Sequence, residues 1–339
     1  MTLEDARVLV TGGAGFIGSE VVKQLVDLGS YVTILDNFSS GKQEYIVKSD
    51  KVKVIQGDVC DESLIPEIVE DMEYIIHLAA LPFIPDCYQH PQEFFKINTN
   101  GTLNLAYNSL KNESLERFVF ISTSEVYGTA QYVPMDENHP TLPHSTYAVS
   151  KLAADRAIYT IHKEQGLPGV VIRPFNSFGP NITQPYIIPE IIMQLRNGAQ
   201  KITLGNVESS RDFTFVSDTA RGMILSLIKK EAIGETINLG SGMDIKIKDL
   251  AYLIAKVMGK EIEISIDKSR FRPFDVNRLY AGSQKAKDIL GWEPKYSIEE
   301  GLRKTVEWSL DTSLRLKDPF KGWSKDETKV EYREQEEKS

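Results

Sequence analysis

Residues 7–18 read Arg7-Val8-Leu9-Val10-Thr11-Gly12-Gly13-Ala14-Gly15-Phe16-Ile17-Gly18, and the fold prediction starts from them. The first four residues form a short apolar run, which predicts a buried parallel strand. The glycines at positions 12, 15 and 18 allow a tight turn, the close approach of a pyrophosphate group, and the packing of a helix against the strand. An amphipathic pattern then extends to about Leu28 and ends at Gly29, which predicts that helix.

A second apolar run, 31–35, ends at Asp36, about 20 residues beyond the glycine-rich turn. In a strand–turn–helix–strand unit, a carboxylate at this place accepts hydrogen bonds from the ribose hydroxyls of NAD and repels the additional phosphate of NADP. A helix cap and ordinary turn glycines would explain the single residues, but they would not explain this order of elements. The segment therefore predicts an NAD site.

Further strands alternate with helices, at 52–55 and 74–77 for example, which predicts an α/β fold with a doubly wound parallel (Rossmann) sheet. Loops after the carboxyl ends of such strands line the cofactor crevice. We expect the loop after 52–55 to meet the adenine and the loop after 74–77 to meet the rest of the dinucleotide. The predicted cofactor-binding residues are Gly12, Gly15, Phe16, Ile17, Gly18, Asp36, Asn37, Asp58, Val59, Leu78, Ala79, Ala80, Asn98, Tyr147 and Lys151.

Two of the polar residues in this region receive different predictions. His77 ends a buried strand, so we interpret it as a histidine of the core rather than a catalyst. Asn98 lies within a predicted long helix, 94–111, and we place it on the side that faces the active site.

The candidate catalytic residues lie in 120–151. An apolar strand, 117–121, leads into Ser122-Thr123-Ser124-Glu125, and Tyr147 and Lys151 follow on one face of a predicted helix. A phenol with a pKa near 10 is a poor base at neutral pH unless a nearby cation favours the phenolate. Lys151 or an oxidised nicotinamide ring supplies that cation. The predicted catalytic residues are Thr123, Ser124, Glu125, Tyr147 and Lys151.

The composition shifts from sheet to loops after the strand 170–173, where we expect a second, smaller domain to begin. The predicted domains are 1–175, with returns to the first sheet near 212–240, then 176–316, and a loose charged tail at 317–339. Arg211 and the cluster of Arg270, Arg272 and Arg278 are donors that suit a polyanionic ligand.

Composition excludes several functional classes. The chain has 339 residues, of which 41% are hydrophobic and 26% charged, and its net charge of −9 includes no basic block that would favour nucleic acid. No apolar run approaches the roughly 18 residues of a membrane helix, and the start of the chain leads into a strand without a signal peptide. Cys60 and Cys87 lack the spacing of a zinc site or a disulfide framework. We therefore expect a cytoplasmic protein without a metal, a membrane or a nucleic-acid partner.

Four stretches together resemble the extended short-chain dehydrogenase/reductases and, more narrowly, the nucleotide-sugar epimerase/dehydratase family. They are 11–18, 122–128, Tyr147-x-x-x-Lys151 and 173–176. The resemblance covers about residues 5–310. It implies a bound NAD that is reduced and reoxidised in each turnover, a nucleoside-diphosphate sugar held by the second domain, and a homodimer formed through the helices near 94–111 and 147–165.

The resemblance also assigns roles by position. It implies that Thr123 hydrogen-bonds the sugar 4-hydroxyl, that Tyr147 removes the proton of this hydroxyl, and that Lys151 holds the nicotinamide ribose and lowers the tyrosine pKa. The positions that match substrate-binding residues are Asn176 and Arg211 for the nucleotide diphosphate and Arg272 for the phosphates.

Glu125 separates the branches of this family. A 4-epimerase needs no carboxylate there, whereas an enzyme that acts at C5 needs a base once C4 is a ketone. We therefore expect a 4,6-dehydratase, and the stretches 124–130 and 210–216 are most similar to dehydratases of the legionaminic-acid pathway. Many 4,6-dehydratases carry Asp where this chain has Ser124. The alternatives are a 4-epimerase, a UDP-glucuronate decarboxylase, which shares Thr-Ser-Glu, and a non-catalytic dinucleotide-binding regulator.

Overall fold

Seven parallel strands form the central sheet of the structure, a computed structural model that describes residues 2–311. Two smaller sheets lie beside it. The strands are β1 (Arg7–Thr11), β2 (Tyr31–Asp36), β3 (Val52–Gln56), β4 (Tyr74–His77), β5 (Arg117–Ile121), β6 (Gly169–Pro174), β7 (Asn176–Phe178), β8 (Lys201–Leu204), β9 (Ser210–Phe215), β10 (Thr236–Leu239), β11 (Asp244–Lys246) and β12 (Glu263–Ile266).

Helices cover both faces of the central sheet and much of the second region. The α-helices are α1 (Phe16–Asp27), α2 (Ile65–Val69), α3 (Ile84–Cys87), α4 (Pro91–Phe94), α5 (Thr102–Ser109), α6 (Thr146–Gln165), α7 (Ile187–Arg196), α8 (Val216–Ile228), α9 (Ile247–Val257) and α10 (Ile298–Leu310). Short 3₁₀ turns lie at Gln43–Tyr45, Ser124–Tyr127, Lys230–Ala232 and Lys268–Arg270, and π-helical turns at Phe95–Gly101 and Ala286–Leu290.

The order of strands in the central sheet is β10-β6-β5-β4-β1-β2-β3. The chain therefore builds outward from β1 through β2 to β3 and then returns to place β4 on the other side of β1. In an open parallel sheet this reversal leaves a crevice beyond the carboxyl ends of β1 and β4, where ligands bind.

Alternating side chains of the strands form a separate core on each face of the sheet. Val8 and Val10 pack with α1 and α8 on one face, whereas Leu9 and Phe120 pack with α5 and α6 on the other. All four side chains are fully buried. The near-continuous apolar sequence of these strands follows from this burial on both sides.

Beyond β6 the chain forms a core separate from the two on the central sheet, and we call it the second core. Sheets β11-β9-β7 and β12-β8 pack with α7, α9 and α10 around buried residues such as Phe178, Ile191 and Leu250. This region faces the carboxyl edge of the central sheet and closes the crevice from the other side.

The structure confirms the predicted strands of the central sheet and helix α6. The expected long helix at 94–111 is interrupted by the π-helical turn Phe95–Gly101. The prediction that residues 212–216 return to the central sheet is wrong, because strand β9, which contains most of them, pairs with β7 and β11 in a small sheet. The chain returns to the central sheet through helix α8 and strand β10. The predicted tail at 317–339 lies outside the described residues. Within the described residues, no helix is long and apolar enough to cross a membrane.

Candidate active site

A cavity of about 1060 Å³ runs along the carboxyl edge of the central sheet and reaches the second core. Of the residues that the sequence predicts for catalysis, cofactor or substrate, all except Asn98 line this cavity. The fold therefore brings together segments that are far apart in sequence, from Gly12 to Arg272. We describe the cavity from its glycine-rich end to its arginine end.

The glycine-rich turn forms the first wall. Gly12 has φ +72°, and a Cβ atom there would lie 2.8 Å from the backbone nitrogen of Ala79. A Cβ atom on Gly18 would lie 2.1 Å from the carbonyl oxygen of Gly12, so the packing of α1 against the turn requires glycine. The first turn of α1 has no side-chain cap and lines the cavity, so its backbone amides are available for a pyrophosphate.

Asp36 ends β2 at the rim of the same wall. Its carboxylate accepts hydrogen bonds from the backbone nitrogens of Ala14, at 2.9 Å, and Phe38, at 2.8 Å. The Asn37 side chain donates to Asp58 at 2.9 Å and thereby fixes the loop after β3 beside it. The carboxylate is thus held in place with lone pairs left for ribose hydroxyls.

Asn98 does not reach the cavity. It is fully buried, and its side chain hydrogen-bonds the backbone nitrogen and oxygen of Leu81, at 2.8 and 3.1 Å, and the hydroxyl of Ser150 at 3.0 Å. The prediction that Asn98 faces the active site is therefore wrong. Asn98 instead fixes Leu81, which lines the cavity, against the helix that carries Tyr147.

His77 is a residue of the core, as predicted. Its two ring nitrogens lie 2.7 Å from the Thr11 hydroxyl and 2.9 Å from the Thr102 hydroxyl. Burial, together with the charge of Lys151, lowers the pKa of His77 to about 3, so the ring is neutral at physiological pH.

Tyr147 lies at the start of α6, where the Ser145 hydroxyl caps the helix by accepting a hydrogen bond from the backbone nitrogen of Ala148 at 3.1 Å. The Thr123 hydroxyl accepts a hydrogen bond from the backbone nitrogen of Glu125 at 3.2 Å and faces the Tyr147 phenol. Burial raises the pKa of Tyr147 above its ordinary value, and the Glu125 charge adds to this, whereas the Thr123 hydroxyl acts in the opposite direction. The predicted lowering of this pKa is therefore not found in the protein alone.

Lys151 follows one turn later on α6 and is 3% exposed. Its ammonium nitrogen lies 4.3 Å from the centre of the Phe120 ring. Burial lowers the pKa of Lys151 to about 7, and the negative charge of Asp155 opposes this shift. The charge of Lys151 near neutral pH thus depends on its neighbours.

Asp155 belongs to a buried network that the sequence analysis missed. Its carboxylate accepts two hydrogen bonds from Arg173, at 2.8 and 3.0 Å, and Arg173 donates to the Tyr127 hydroxyl at 2.9 Å. The Tyr127 hydroxyl donates to Asn238 at 2.7 Å. The network joins α6 to β6, to β10 and to the 3₁₀ turn that contains Glu125. The position of Asp155, four residues after Lys151 on the same helix face, was a local signal that it interacts with Lys151, but it gave no sign of Arg173, Tyr127 or Asn238.

Glu125 projects from the 3₁₀ turn Ser124–Tyr127 and lines the cavity. Within residues 2–311, no hydrogen bond or ion pair to its carboxylate is found, and only its backbone is bonded. Its charge acts on the phenol of Tyr147 and on the guanidinium of Arg211. This carboxylate is thus held by its backbone near the Tyr147 phenol and remains available for a ligand.

Arg211 and Arg272 line the far end of the cavity, on either side of Asp275. Their guanidinium nitrogens lie 3.5 Å and 3.9 Å from one oxygen of the Asp275 carboxylate. Arg211 is buried, and burial lowers its pKa. Asn176 also lines this end, and its buried side-chain oxygen has no hydrogen-bond partner within residues 2–311. The two cations suit a phosphate-bearing ligand, and the unpaired Asn176 oxygen can accept a hydrogen bond from a donor on that ligand.

The two other predicted arginines of this cluster differ in position. Arg270 lines the cavity and forms an ion pair of 2.5 Å with Glu190. Arg278 is not part of the cavity lining; it pairs with Asp244 at 2.7 Å. Among the described residues, no group of three or more His, Cys, Asp or Glu side chains is arranged to hold a metal ion.

Comparison with known proteins adds to this geometry. Residues 9–305 match the family model described as GDP-mannose 4,6 dehydratase. UDP-glucuronic acid decarboxylase 1 of Xenopus tropicalis is 32% identical over 312 residues, which are 89% of this chain and 72% of the relative.

Two solved structures share the fold. UDP-N-acetylglucosamine 4-epimerase from Methanobrevibacter ruminantium M1, in complex with UDP-N-acetylmuramic acid, has a TM-score of 0.83 and 33% identity, with 90% of this chain and 98% of that chain covered. DesIV, the dTDP-glucose 4,6-dehydratase from Streptomyces venezuelae with NAD and TYD bound, has a TM-score of 0.82 and 26% identity, with 94% and 99% covered. The three similar proteins are thus a decarboxylase, an epimerase and a dehydratase.

Proposed function

The chain belongs to the family of the GDP-mannose 4,6-dehydratase model, a family of NAD-dependent nucleotide-sugar dehydratases, epimerases and decarboxylases, and we propose that it is a nucleotide-sugar 4,6-dehydratase. The observation that carries this proposal is the Glu125 carboxylate, which lines the cavity without a described partner and acts electrostatically on Tyr147. The product would be a 4-keto-6-deoxy sugar nucleotide.

The enzyme uses NAD. The residues of the first wall fit this cofactor, because the glycines leave the space that a Cβ would fill and the Asp36 carboxylate is fixed at the ribose position. We assign the pyrophosphate to the turn at Gly12 and Gly15, and the nicotinamide ribose to Lys151. When bound there, NAD supplies an acceptor for the hydride of the sugar C4 and later a donor of the same hydride.

Tyr147 is the proposed base for the sugar 4-hydroxyl. Its phenol faces the Thr123 hydroxyl, so that a sugar hydroxyl between the two residues would have a donor and an acceptor at once. Because burial raises the pKa of Tyr147, the phenolate needs positive charge close by. The Lys151 ammonium, one helical turn away, provides part of that charge.

Glu125 is the proposed base for the second proton. Once C4 is a ketone, the C5 proton is acidic enough for a carboxylate to remove it. The electron pair left at C5 forms the C5–C6 double bond and expels the C6 hydroxyl, and the proton held by Glu125 goes to this leaving group, so that water departs. C6 then takes back the hydride removed from C4, and C5 takes up one proton, which balances the proton that Tyr147 removed from the 4-hydroxyl. Ser124, which stands where many 4,6-dehydratases carry Asp, lines the cavity beside it and is assigned a hydrogen bond to the leaving oxygen.

The nucleotide end of the substrate is assigned to Asn176, Arg211 and Arg272. The two guanidinium groups supply the positive charge that a diphosphate requires, and the side-chain NH₂ of Asn176 can donate a further hydrogen bond. Because both guanidinium groups lie within ion-pair distance of the Asp275 carboxylate, they are held in position before a ligand arrives.

Two other reactions of the same family remain candidates, because the chain is also similar to an epimerase and to a decarboxylase. An epimerase would need Tyr147 and Thr123 but no second base, and the solved epimerase shares the fold at a TM-score of 0.83. A decarboxylase would also proceed through a C4 ketone, and UDP-glucuronic acid decarboxylase 1 covers 89% of this chain. The non-catalytic alternative has no support in a cavity whose proposed catalytic positions are all chemically competent.

Product analysis tests the proposal. The protein is incubated separately with UDP-GlcNAc, GDP-GlcNAc, UDP-glucose, dTDP-glucose, GDP-mannose and UDP-glucuronate, and the product masses are measured. We expect the loss of one water from at least one of them. Loss of carbon dioxide, or an unchanged mass with a new anomeric NMR signal, would replace the dehydratase by a decarboxylase or an epimerase.

Three predictions about organisation stay with this proposal. We propose that residues 1–175 hold the cofactor and that residues 176–316 hold the nucleotide sugar. We also propose a cytoplasmic homodimer through the helices near 94–111 and α6. The exposed side chains of Tyr107 and Tyr159 on these helices support the contact, and light scattering at micromolar concentration tests it.

A further inference from the structure

Tyr186 joins the two sides of the cavity. It precedes α7, which belongs to the second core, and its ring meets Phe83 edge-on, with 6.1 Å between the ring centres and 64° between the ring planes. Phe83 follows β4 and belongs to the cofactor side of the cavity. Both residues line the cavity, so they form an aromatic wall across it.

This wall lies next to the reactive phenol. Ile84 and Cys87, which follow Phe83 in the chain, pack in one cluster with Phe94 and Tyr147. Tyr147 and Tyr186 are close enough that the negative charge of one raises the pKa of the other, and the charge of Arg272 also reaches Tyr186. The wall therefore borders the space between the catalytic phenol and the arginine end, which a sugar would occupy.

The hydroxyl of Tyr186 is available for a ligand. Tyr186 is half-buried, and two buried tyrosines show what such a hydroxyl can do: Tyr127 donates to Asn238 at 2.7 Å and Tyr74 donates to Glu116 at 2.8 Å. For the Tyr186 hydroxyl no hydrogen bond is found within residues 2–311. Burial raises the pKa of Tyr186, so this hydroxyl stays protonated and can donate.

The chemistry of this wall selects a kind of substituent. A group held there should carry an acceptor oxygen for the Tyr186 hydroxyl and apolar carbon for the Phe83 ring. An acylamino group has both, whereas a hydroxyl has no apolar carbon and a carboxylate would lose hydration beside the phenyl ring.

We propose that Tyr186, with Phe83, is a specificity-determining residue that recognises an acylamino substituent on the substrate hexose. The proposal rests on the proposed function only in that a nucleotide sugar occupies the cavity beside Tyr147. It does not depend on whether the reaction is dehydration, epimerisation or decarboxylation.

Binding measurements test this assignment without turnover. The dissociation constants of UDP-GlcNAc and UDP-glucose, and of GDP-GlcNAc and GDP-glucose, are measured by calorimetry for the NAD-loaded wild type and for Tyr186→Phe. In the pair of compounds whose nucleotide the protein binds, we expect the wild type to bind the acetamido sugar more tightly than the glucose compound. Tyr186→Phe should weaken binding of that sugar by about 3- to 10-fold and leave binding of the glucose compound unchanged.

A matched control separates this effect from a general loss of structure. Tyr45 is another buried tyrosine whose hydroxyl lacks a hydrogen-bond partner within residues 2–311, and it does not line the cavity. Tyr45→Phe should leave both dissociation constants unchanged. Equal weakening of both sugars by Tyr186→Phe, or no change in either, would overturn the role of Tyr186. The product masses decide the reaction type independently of this result.

Discussion

The carboxylate of Asp36 accepts a hydrogen bond from the backbone nitrogen of Ala14 at 2.9 Å and thereby fixes the end of β2 to the glycine-rich turn. One side chain thus orders the pyrophosphate turn and presents negative charge at the proposed ribose position. A 2′-phosphate placed there would be repelled, and two ribose hydroxyls would be accepted.

Asp36→Ala should therefore weaken NAD binding by about 10- to 100-fold, the range for a lost hydrogen bond to a charged group, and reduce the preference for NAD over NADP. The measurement is a titration of the cofactor-free protein with each dinucleotide. Acid denaturation of the wild type should release mainly NAD. If NADP were the main nucleotide released, the role of Asp36 would be wrong.

The buried pair of Asp155 and Arg173 gives a prediction about stability. Asp155→Asn should lower the free energy of unfolding by about 3–5 kcal/mol, because it leaves the Arg173 guanidinium buried without its counter-ion. Arg156→Gln is the control: Arg156 also pairs with Asp155, at 2.7 Å, but it is half-exposed, so its loss should cost less than about 1 kcal/mol. Urea unfolding of both variants measures the difference. Equal losses of stability in the two variants would show that the buried Asp155–Arg173 pair stabilises the fold no more than the half-exposed pair does.

The pH dependence of this pair has a defined sign. Hydrogen bonds and the charge of Arg173 lower the pKa of Asp155, against the opposing effect of burial. Its contribution to stability is therefore complete above the pKa of an unfolded Asp, about 3.9, and is lost as the pH falls further. The stability difference between the wild type and Asp155→Asn should narrow in that acidic range.

Much of the sheet and the first wall of the cavity could be predicted, because their signals are local. An apolar run such as 7–10, the glycines that follow it, and Asp36 at the end of the next strand lie within about 30 residues of each other.

The network around Arg173 could not be predicted, because its partners meet only in the folded chain. Arg173 is 18 residues from Asp155 and 46 from Tyr127, and Tyr127 is 111 from Asn238. The prediction for Asn98 was wrong for a related reason. A polar residue on a predicted helix gives no sign of which neighbour it faces, and here the neighbour is the backbone of Leu81.

Lys151 gives a prediction in which function opposes stability. Burial lowers the pKa of Lys151 to about 7, against about 10.4 in the unfolded chain. Below pH 7 the folded protein must therefore bury a charged ammonium group, which destabilises it. Between pH 7 and about 10.4 the folded protein loses this proton first, so its stability rises with pH. Lys151→Met should therefore raise the free energy of unfolding by about 1–3 kcal/mol at pH 6. The gain should shrink as the pH approaches 10, while catalysis is lost. Lys163→Met, an exposed change on the same helix, is the control and should show no such pH dependence.

Tyr147 should affect chemistry far more than folding. Tyr147→Phe removes a hydroxyl that interacts with Thr123, and the loss of stability should not exceed the contribution of one hydrogen bond, about 0.5–1.5 kcal/mol. It also removes the proposed base, so turnover should fall by about 10²–10⁴-fold, and substrate should not convert the bound NAD to its reduced form. Absorbance of the cofactor after mixing with substrate reports this. Rapid reduction of the cofactor in this variant would assign the first proton to another group.

Glu125→Gln separates the second proton transfer from the first. The amide is nearly isosteric and leaves Tyr147 and Thr123 in place, so oxidation at C4 should continue. The amide cannot take the C5 proton, however, and loss of a general base typically costs about 10²–10⁴-fold. Reduced cofactor should therefore accumulate on the variant after substrate is added, and little dehydrated product should form; stopped-flow absorbance and product mass measure both.

The contrasting result for Glu125 is equally specific. If Glu125 served only to stabilise its 3₁₀ turn, Glu125→Gln would lose about 0.5–2 kcal/mol of stability and turn over almost normally. The carboxylate has no described partner whose loss would cost more than this. Near-normal turnover to a product with the mass of the substrate would therefore remove C5 chemistry from this site and leave epimerisation, because decarboxylation, which also needs no second base, would lose carbon dioxide.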